Sequence, residues 1–366
     1  MRVLMVSKAC LAGIYQRKLE EIARSKDVEL TVVVPPTWRD VQGTVKLERA
    51  HLAGYRLLVD PIAWNGNYHL YYFPRLRQRV REFQPDILHI DEEPYNLATW
   101  HAWRLAKRAG IRSLFFSWQN LSRRYPVPFR TMEMAVLRGV DHAIVGSQGA
   151  AEVWRRKGYR GPLAVIPQFG VDPQLFSPPE RRPPGRSFVV GYAGRLVSEK
   201  GVDLLIRAVA SLPCPCHLAI AGDGPERAGL TALAREVGVQ DRLFFDGQLP
   251  SARMPAFLQQ LDVLVLPSRS RPNWMEQFGR VLIEAMACGA VAVGSNSGEI
   301  PNVIGEAGLV FPEDDVAALA SHLEYLMTNP SVRSDLAEKG RLRVLTRYTQ
   351  KRVAAQTVQV YREVMQ

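Results

Sequence analysis

The segment PNWMEQFGRVLIEAMACG, residues 272–289, places one carboxylate, Glu284, inside an apolar run with the periodicity of a buried helix. A second carboxylate, Glu276, stands eight positions earlier in a polar lead-in that contains glycine. Because a buried, unpaired carboxylate costs several kcal/mol, Glu284 needs partners. Periodicity leaves two alternatives open: the vicinal hydroxyls of a sugar, or an ion pair with a neighbouring strand or at an exposed helix edge.

Around this segment, short apolar runs alternate with helical patterns through most of the chain. Continuous apolar strands separated by helices are typical of parallel sheets that are covered on both faces. A stretch rich in proline and charge, residues 177–187, interrupts the alternation and is typical of a linker. The sequence therefore predicts an α/β protein with domains at 1–178 and 188–349, a linker at 179–187 and a C-terminal helix at 350–366. The predicted strands are 3–6, 30–34, 87–90, 113–116, 142–145 and 163–166 in the first half, and 188–192, 217–221, 243–245, 263–266 and 290–294 in the second.

The composition is that of a globular protein, with 366 residues, 47% of them hydrophobic and 23% charged, and a formal net charge of +11. This charge favours an anionic partner such as a nucleotide or a lipid surface, and no nucleic-acid-binding motif is present. The N-terminal apolar run is broken by Lys8 and is too short for a signal peptide. No window approaches the roughly 20 apolar residues of a membrane span. We expect a cytoplasmic protein, with peripheral contact to the inner face of the membrane as an option.

Two segments leave alternatives open. Cys214, Cys216 and His217 could hold a metal, but the rest of a tetrahedral site is missing, and a turn before a strand is the preferred interpretation. Residues 71–85 carry four arginines beside aromatic residues. They are either an interfacial helix that meets anionic lipid or a solvated helix face whose apolar side packs on the sheet.

Loops at successive predicted strand ends carry the residues expected at an anion. The loop GYAGRLVSEKG, residues 191–201, contains Arg195 and Lys200, and AGDGPE, residues 221–226, follows the next strand. Gly279 stands where the predicted helix within residues 272–289 should begin. Cations beside helix N-termini suit a diphosphate. Each of these loops alone could be a solvated basic loop. Their repetition at successive strand ends favours an anion site.

The motifs GRLVSEKG (194–201), GDGPE (222–226), LDVLVLPS (261–268), EQFGRVLIEAMACG (276–289) and SGEIP (297–301) occur in a set order and spacing. Together they closely resemble the retaining glycosyltransferases of family 4, and VIPQFGVDPQLF (165–176) matches the end of that family's first domain. The resemblance covers essentially the whole chain. It implies the GT-B fold, with two Rossmann-like, doubly wound parallel-sheet domains facing a cleft, and the C-terminal helix packed back on the first domain as an option.

The resemblance implies transfer of a sugar, with retention of configuration, from a UDP- or GDP-sugar to a hydroxyl acceptor. The acceptor would be a glycan, a lipid-linked molecule or a small molecule, in glycan, polysaccharide or glycolipid biosynthesis. It implies no metal and no other cofactor. The alternative is a non-catalytic GT-B scaffold that binds a nucleotide sugar or a partner enzyme, and the intact charged residues favour the enzyme.

Carried over residue by residue, the resemblance assigns Arg195 and Lys200 to the donor diphosphate and Glu276 to the donor sugar, as the catalytic set. It assigns Glu284 to the ribose hydroxyls. The other implied donor-binding residues are Gly13, Gln119, Gly194, Gly222, Asp223, Gln248, Gln277, Phe278 and Gly279.

Two features depart from the family's pattern. The first loop, ACLAGIYQRK at 9–18, lacks the usual glycine pair, and Gln119 stands where the family often has a histidine near the donor sugar. An amide cannot take a proton at neutral pH, which puts a histidine base in doubt. In the retaining route favoured for this family, the leaving phosphate oxygen itself accepts the proton.

Asp91, Glu92 and Glu93 end another predicted strand of the first domain. Because ligands bind at the carboxyl ends of parallel strands, we expect these carboxylates, with Asn120, to orient the acceptor. An exposed polar loop is the alternative.

Overall fold

The computed structural model describes residues 1–40, 43–181, 185–213 and 216–366. These residues form two compact units, Met1–Gly170 together with Gln350–Gln366, and Val171–Thr349. The first unit thus ends at Gly170, whereas composition predicted a boundary at 178. Of the predicted linker, residues 182–184 lie outside the described residues.

The first unit is built on a seven-stranded sheet with the order β5-β2-β1-β6-β7-β8-β9. Every pair of neighbours in it is parallel, and β3 and β4 form a separate antiparallel hairpin. The strands are β1 (Arg2–Val6), β2 (Glu29–Val34), β3 (Thr37–Asp40), β4 (Gly43–Lys46), β5 (Arg56–Val59), β6 (Ile87–Ile90), β7 (Arg112–Ser117), β8 (His142–Val145) and β9 (Leu163–Val165). The helices are α1 (Gly13–Ala23), α2 (Leu76–Phe83), α3 (Leu97–Ala109), α4 (Phe129–Gly139) and α5 (Gln148–Arg156).

The second unit is built on a six-stranded parallel sheet with the order β12-β11-β10-β13-β14-β15. Its strands are β10 (Val189–Ala193), β11 (His217–Ala221), β12 (Leu243–Gly247), β13 (Val263–Leu266), β14 (Val291–Ser295) and β15 (Gly308–Phe311). Its helices are α6 (Val202–Ala210), α7 (Arg227–Glu236), α8 (Met254–Gln259), α9 (Arg280–Ala287), α10 (Ile300–Ile304), α11 (Val316–Thr328) and α12 (Pro330–Arg347).

The C-terminal helix α13 (Gln350–Met365) belongs to the first unit and packs on α1. Val353, Val358 and Tyr361 are buried in the same apolar core as Val3 and Leu19. The Tyr361 hydroxyl also bonds Nδ1 of His89 at 2.7 Å. The return of this helix to the first domain, which the resemblance had offered as an option, is thereby confirmed.

Both parallel sheets reverse their strand order beside their first strand. β1 lies between β2 and β6, and β10 lies between β11 and β13. At such a switch point the loops at the carboxyl ends of the strands diverge and leave a crevice in which ligands bind. The loops after β1 and β6, and those after β10 and β13, are therefore the places where function is expected.

Two further predictions concern metals and membranes. Cys214 lies outside the described residues, and no group of three or more His, Cys, Asp or Glu that could hold a metal is found within the described ranges. No helix among the described residues is long and apolar enough to span a membrane.

Candidate active site

Lys200 and Glu276 come together in the second unit. Nζ of Lys200 lies 2.6 Å from Oε2 of Glu276, and the hydroxyl of Ser268 donates to the same oxygen at 3.0 Å. Glu276 is only 8% exposed, and the Lys200 ammonium also lies 4.9 Å from the centre of the Trp274 ring. The fold thus places two of the predicted catalytic side chains, from the loops after β10 and β13, in direct contact.

Glu284 lies in the buried part of α9 and is 4% exposed. Its carboxylate lies 2.9 Å from Nε of Arg280, one turn earlier on the same helix. Burial raises the pKa of the Glu284 carboxyl, and the Arg280 charge offsets this only in part. The exposed-edge alternative is wrong because Glu284 is buried. An ion-pair partner is present, but it lies within α9 and not on a neighbouring strand.

The position directly before α9 requires a glycine. Gly279 has a φ of +77°, in the left-handed region that side chains with a Cβ rarely adopt. Its neighbour Phe278 is buried and packs edge-on against Tyr348, with ring centres 5.7 Å apart, while Gln277 is exposed. Of the predicted donor-binding residues 277–279, Gln277 therefore faces solvent and Phe278 anchors the start of the helix.

The loops after β10 and β11 touch through their glycines. A Cβ on Gly222 would lie 1.8 Å from the carbonyl oxygen of Gly194. Asp223 is exposed, and its main-chain carbonyl accepts a hydrogen bond from the amide of Leu196 at 2.9 Å. Arg195 and Gln248, which follows β12, have exposed side chains. These predicted donor-binding residues share the carboxyl-end edge of one sheet.

In the first unit, Asp91, Glu92 and Glu93 are buried rather than exposed. Burial raises the pKa of the Glu92 carboxyl to about 7 and that of Glu93 to about 7. The exposed-loop alternative is therefore wrong. Among the described residues, each carboxylate accepts two hydrogen bonds. Asp91 accepts from the Ser7 hydroxyl and the Gln168 side-chain amide. Glu92 accepts from the Lys8 main-chain amide and the Tyr71 hydroxyl, and Glu93 from the Ser117 hydroxyl and the Trp118 main-chain amide.

These carboxylates line a cavity of about 270 Å³ at the carboxyl ends of β1, β6 and β7. Lys8, from the loop after β1, lies on its wall. The aromatic side chains on the wall are Trp38, Tyr68, Phe116 and Trp118.

Gly13 opens α1, and its amide donates to the carboxylate of Glu48 at 2.7 Å. The Gln16 side chain holds the same segment, because Nε2 donates to the Glu48 carbonyl at 2.6 Å and Oε1 accepts from the Ala50 amide at 3.1 Å. The resemblance implied a donor phosphate near Gly13. In the structure, an intramolecular carboxylate bonds this amide.

Family models match both units. Residues 16–175 match Glycosyltransferase Family 4, and residues 175–343 match Glycosyl transferases group 1. The chain belongs to glycosyltransferase family 4. It is therefore a glycosyltransferase, and the non-catalytic scaffold is not favoured.

Relatives and solved structures agree with this assignment. The lipopolysaccharide core biosynthesis glycosyltransferase LpsE of Rhizobium meliloti is 28% identical over 86% of this chain and 85% of its own length. A GDP-mannose-dependent alpha-(1-6)-phosphatidylinositol monomannoside mannosyltransferase of Mycolicibacterium smegmatis is 33% identical, over 50% of this chain and 52% of its own. The structure of Anabaena HepE in complex with UDP has a TM-score of 0.74 at 17% identity and covers 99% of this chain and 100% of that one. The likeness to HepE shows the GT-B fold.

Arg269 of this glycosyltransferase joins three loops at the edge where Lys200 lies, and sequence reasoning missed it. Its guanidinium bonds both carboxylate oxygens of Asp203 at 2.7 Å each, and it also bonds Asp314 and the Ser198 carbonyl. The hydrogen bonds to Asp203 and Asp314 raise the pKa of Arg269. The only sequence signal was a charge directly after the motif LDVLVLPS, and its partners are 45 to 71 residues away.

Gln119, which replaces the family's histidine, follows β7 and is 6% exposed. Its Nε2 donates to the Leu121 carbonyl at 2.9 Å. Its Oε1 is buried and accepts no hydrogen bond from the described residues. The glycosyltransferase therefore keeps a buried hydrogen-bond acceptor at this position, on a side chain that does not titrate. Asn120, next along the chain, is partly buried.

Proposed function

We propose that this glycosyltransferase moves a sugar from a nucleotide-activated donor to a hydroxyl of its acceptor, with retention of configuration, in glycan biosynthesis. The contact of Lys200 with Glu276 carries the proposal, because it places a cation for a leaving diphosphate beside a carboxylate for a sugar. The R. meliloti relative is named for lipopolysaccharide core biosynthesis, the mycobacterial relative for GDP-mannose, and HepE structures contain UDP and UDP-glucose. The donor is accordingly a UDP- or GDP-sugar.

The second unit binds the donor in this proposal. Arg195 and Lys200 hold the diphosphate, Glu276 bonds the donor sugar and Glu284 takes the ribose hydroxyls. Because Arg280 already neutralises Glu284 in part, the carboxylate can stay charged while it accepts from two hydroxyls. The other residues of the donor site are Gly194, Gly222, Asp223, Gln248, Gln277, Phe278 and Gly279.

The chemical step breaks the bond between the anomeric carbon and the diphosphate oxygen. The acceptor oxygen forms its bond on the same face, and its proton passes to the leaving phosphate oxygen. No protein base and no cofactor is needed for this balance. The protein contributes positioning and neutralises the charge that develops on the diphosphate.

The first unit binds the acceptor in this proposal, with Asp91, Glu92, Glu93 and Asn120 as its polar residues. The buried Oε1 of Gln119 receives no hydrogen bond from the described residues, which costs about 1–3 kcal/mol unless a substrate hydroxyl donates to it.

A donor panel and one lysine variant test the proposal. A nucleotide that binds only the folded protein raises the melting temperature, so UDP- or GDP-sugars should stabilise the second unit. Lys200→Ala should abolish transfer, since it removes the ammonium that lies 2.6 Å from Glu276. Lys339→Ala, which removes an exposed lysine from α12, is the matched control and should transfer normally. Near-normal transfer by a folded Lys200→Ala variant contradicts the proposal.

A further inference from the structure

The cavity in the first unit has a mixed lining that the proposed function uses only in part. Its volume of about 270 Å³ is just below the roughly 300 Å³ at which pockets for drug-sized ligands begin. It therefore has room for a single ring and not for a nucleotide. Trp38, Tyr68 and Trp118 give it apolar walls, while Gln168 and three carboxyl groups give it hydrogen-bonding groups.

Lys8 supplies donors in this cavity that the described residues leave unused. Its ammonium lies 4.3 Å from the centre of the Trp38 ring and 4.6 Å from that of Tyr68. These rings hold the cation in place. Within the described part of the chain this ammonium donates no hydrogen bond, although it has three N–H groups. A ligand oxygen is the partner that this arrangement lacks.

The carboxyl groups also keep unused capacity. Each accepts two hydrogen bonds from the described residues, whereas an ionised carboxylate has about four lone-pair sites. The cavity therefore offers acceptors and donors close together. A hydroxyl group, which both donates and accepts, matches such a place better than a group that does only one.

The charges favour a ligand without net charge. A phosphate or carboxylate would lie against three buried carboxyl groups. A ligand ammonium could not use the faces of Trp38 and Tyr68 that Lys8 occupies. Since burial raises the pKa of Glu92 and of Glu93 to about 7, the pair is partly protonated near neutral pH, and Lys8 offsets much of the remaining charge.

We propose that this cavity is the subsite for one uncharged pyranose ring of the acceptor, with a ring hydroxyl that donates to Glu92 and accepts from Lys8. The apolar face of the ring packs on the aromatic wall. This inference rests on the proposed function, because it names the chemical class of the acceptor. It separates a sugar acceptor from a phosphorylated or amino-substituted one at this position.

Saturation-transfer NMR on the full chain, without donor, tests the proposal. The neutral probes are the methyl α-glycosides of glucose, mannose and galactose, and the charged probes are glucosamine and glucose 6-phosphate. At least one neutral glycoside should bind more tightly than both charged sugars. Lys8→Met keeps an unbranched side chain on Trp38 but removes the donors, and should weaken binding roughly tenfold or more.

Matched variants make the result specific. Lys8→Arg restores charge and donors and should retain binding, and Glu92→Gln should weaken it with both of its protein partners kept. Lys26→Met removes an exposed lysine from the turn after α1 and should change nothing. Binding of the neutral glycosides that Lys8→Met leaves intact overturns the proposal, as does tighter binding of a charged sugar or no binding of any neutral probe.

These outcomes are distinguishable from failure of the proposed function. Stabilisation by UDP or GDP and the loss of transfer in Lys200→Ala depend on the second unit. Stabilisation by UDP or GDP should be unaffected by Lys8→Met, and the sugar probes need no donor, so either proposal can fail while the other stands.

Discussion

Gly13 and Ala50 approach so closely that the glycine has no room for a methyl group. A Cβ at position 13 would lie 2.7 Å from Cβ of Ala50, so the segment that Gln16 holds would have to shift. We expect Gly13→Ala to lower the free energy of unfolding by roughly 1–3 kcal/mol in urea denaturation. Ala50→Gly in the same chain removes the clash and should recover most of this loss.

The comparison of the two variants separates packing from donor binding. Gly13→Ala should also raise the KM for the donor, since the segment shifts. If Ala50→Gly restores both the stability and the KM, packing alone requires glycine at position 13. Recovery of stability with a persistently high donor KM would support the phosphate role that the resemblance implies. Unchanged stability in Gly13→Ala contradicts the close packing itself.

Glu93 should make stability depend on pH. Burial raises the pKa of its carboxyl from an ordinary 4.5 to about 7. Between these values the folded protein keeps a proton that the unfolded chain has lost, so the free energy of unfolding falls as the pH rises from about 4.5 to 7 and is level above. Glu93→Gln removes this fall. The variant should be more stable than the parent at pH 8, by on the order of 1 kcal/mol or more, and should lose that advantage near pH 4.5.

The amide can replace the carboxylate and keep contact with both of its hydrogen-bond partners. Its oxygen can accept from the Trp118 amide, and its NH2 group can donate to the Ser117 hydroxyl. Urea denaturation at pH 5, 6.5 and 8 measures the effect, and Glu152→Gln, at an exposed position on α5, is the control. A stability difference between Glu93→Gln and the parent that is the same at all three pH values would contradict the predicted shift.

At the scale of helices and strands, local pattern predicts an element when its own residues carry the signal. Strands β6, β8, β11 and β13 agree with the predicted bounds to the residue, because apolar residues dominate each of them. The hairpin of β3 and β4 was missed because β4 is exposed along its whole length and shows no apolar pattern.

Burial of the acidic run at 91–93 could not be predicted from its own polarity. The groups that satisfy it come from distant parts of the chain: the Ser7 hydroxyl is 84 residues from Asp91, and the Tyr71 hydroxyl is 21 residues from Glu92. Glu276, by contrast, lay within a motif that the resemblance covers. Its contact with Lys200, 76 residues away, became visible only in the fold.

Helix α13 should determine the stability of the unit that contains the N-terminus. Tyr361 is fully buried against β6 and bonds His89. Tyr361→Phe removes only the hydroxyl and should cost about 1–2 kcal/mol, whereas Tyr361→Ala also leaves a cavity and should cost about 3–5 kcal/mol. Lys351→Ala, at an exposed position of α13, should be neutral.

Amide hydrogen exchange can assign this loss to one unit. Strands β1 and β6 should exchange faster in both Tyr361 variants, while β10 and β13 should be unchanged. Equal acceleration in both sheets, or none in either, would mean that α13 does not act as part of the first core.

At the scale of the whole molecule, only the first unit has a net positive charge. Residues 1–170 and 350–366 hold 29 Lys and Arg against 16 Asp and Glu, a net charge of +13, whereas residues 171–349 hold 18 against 20, a net charge of −2. An anionic surface should therefore attract the first unit. The apolar residues of α2, Leu76, Val80 and Phe83, are buried, so the solvated-face alternative holds for this helix. Any attraction of α2 to an anionic membrane is therefore electrostatic.

We predict salt-sensitive binding to anionic membranes through this unit. Arg75, Arg77 and Arg81 are exposed on and beside α2, whereas Arg79 turns inward to the buried carboxylate of Asp60 at 2.7 Å. Basic residues near an anionic surface contribute about 1 kcal/mol each, and exposed charges are screened by salt. The protein should float with phosphatidylglycerol vesicles in low salt, be released in high salt, and not float with neutral phosphatidylcholine vesicles.

Charge reversal locates the surface. Arg75→Glu, Arg77→Glu and Arg81→Glu together should abolish flotation in low salt. The same reversal at three exposed positions of the second unit, Arg235, Arg253 and Lys339, changes the net charge equally and should leave flotation intact, because that unit is not the one attracted. Equal loss in both triple variants would mean that net charge alone governs binding, and flotation that resists high salt would require an apolar contact that α2 cannot supply.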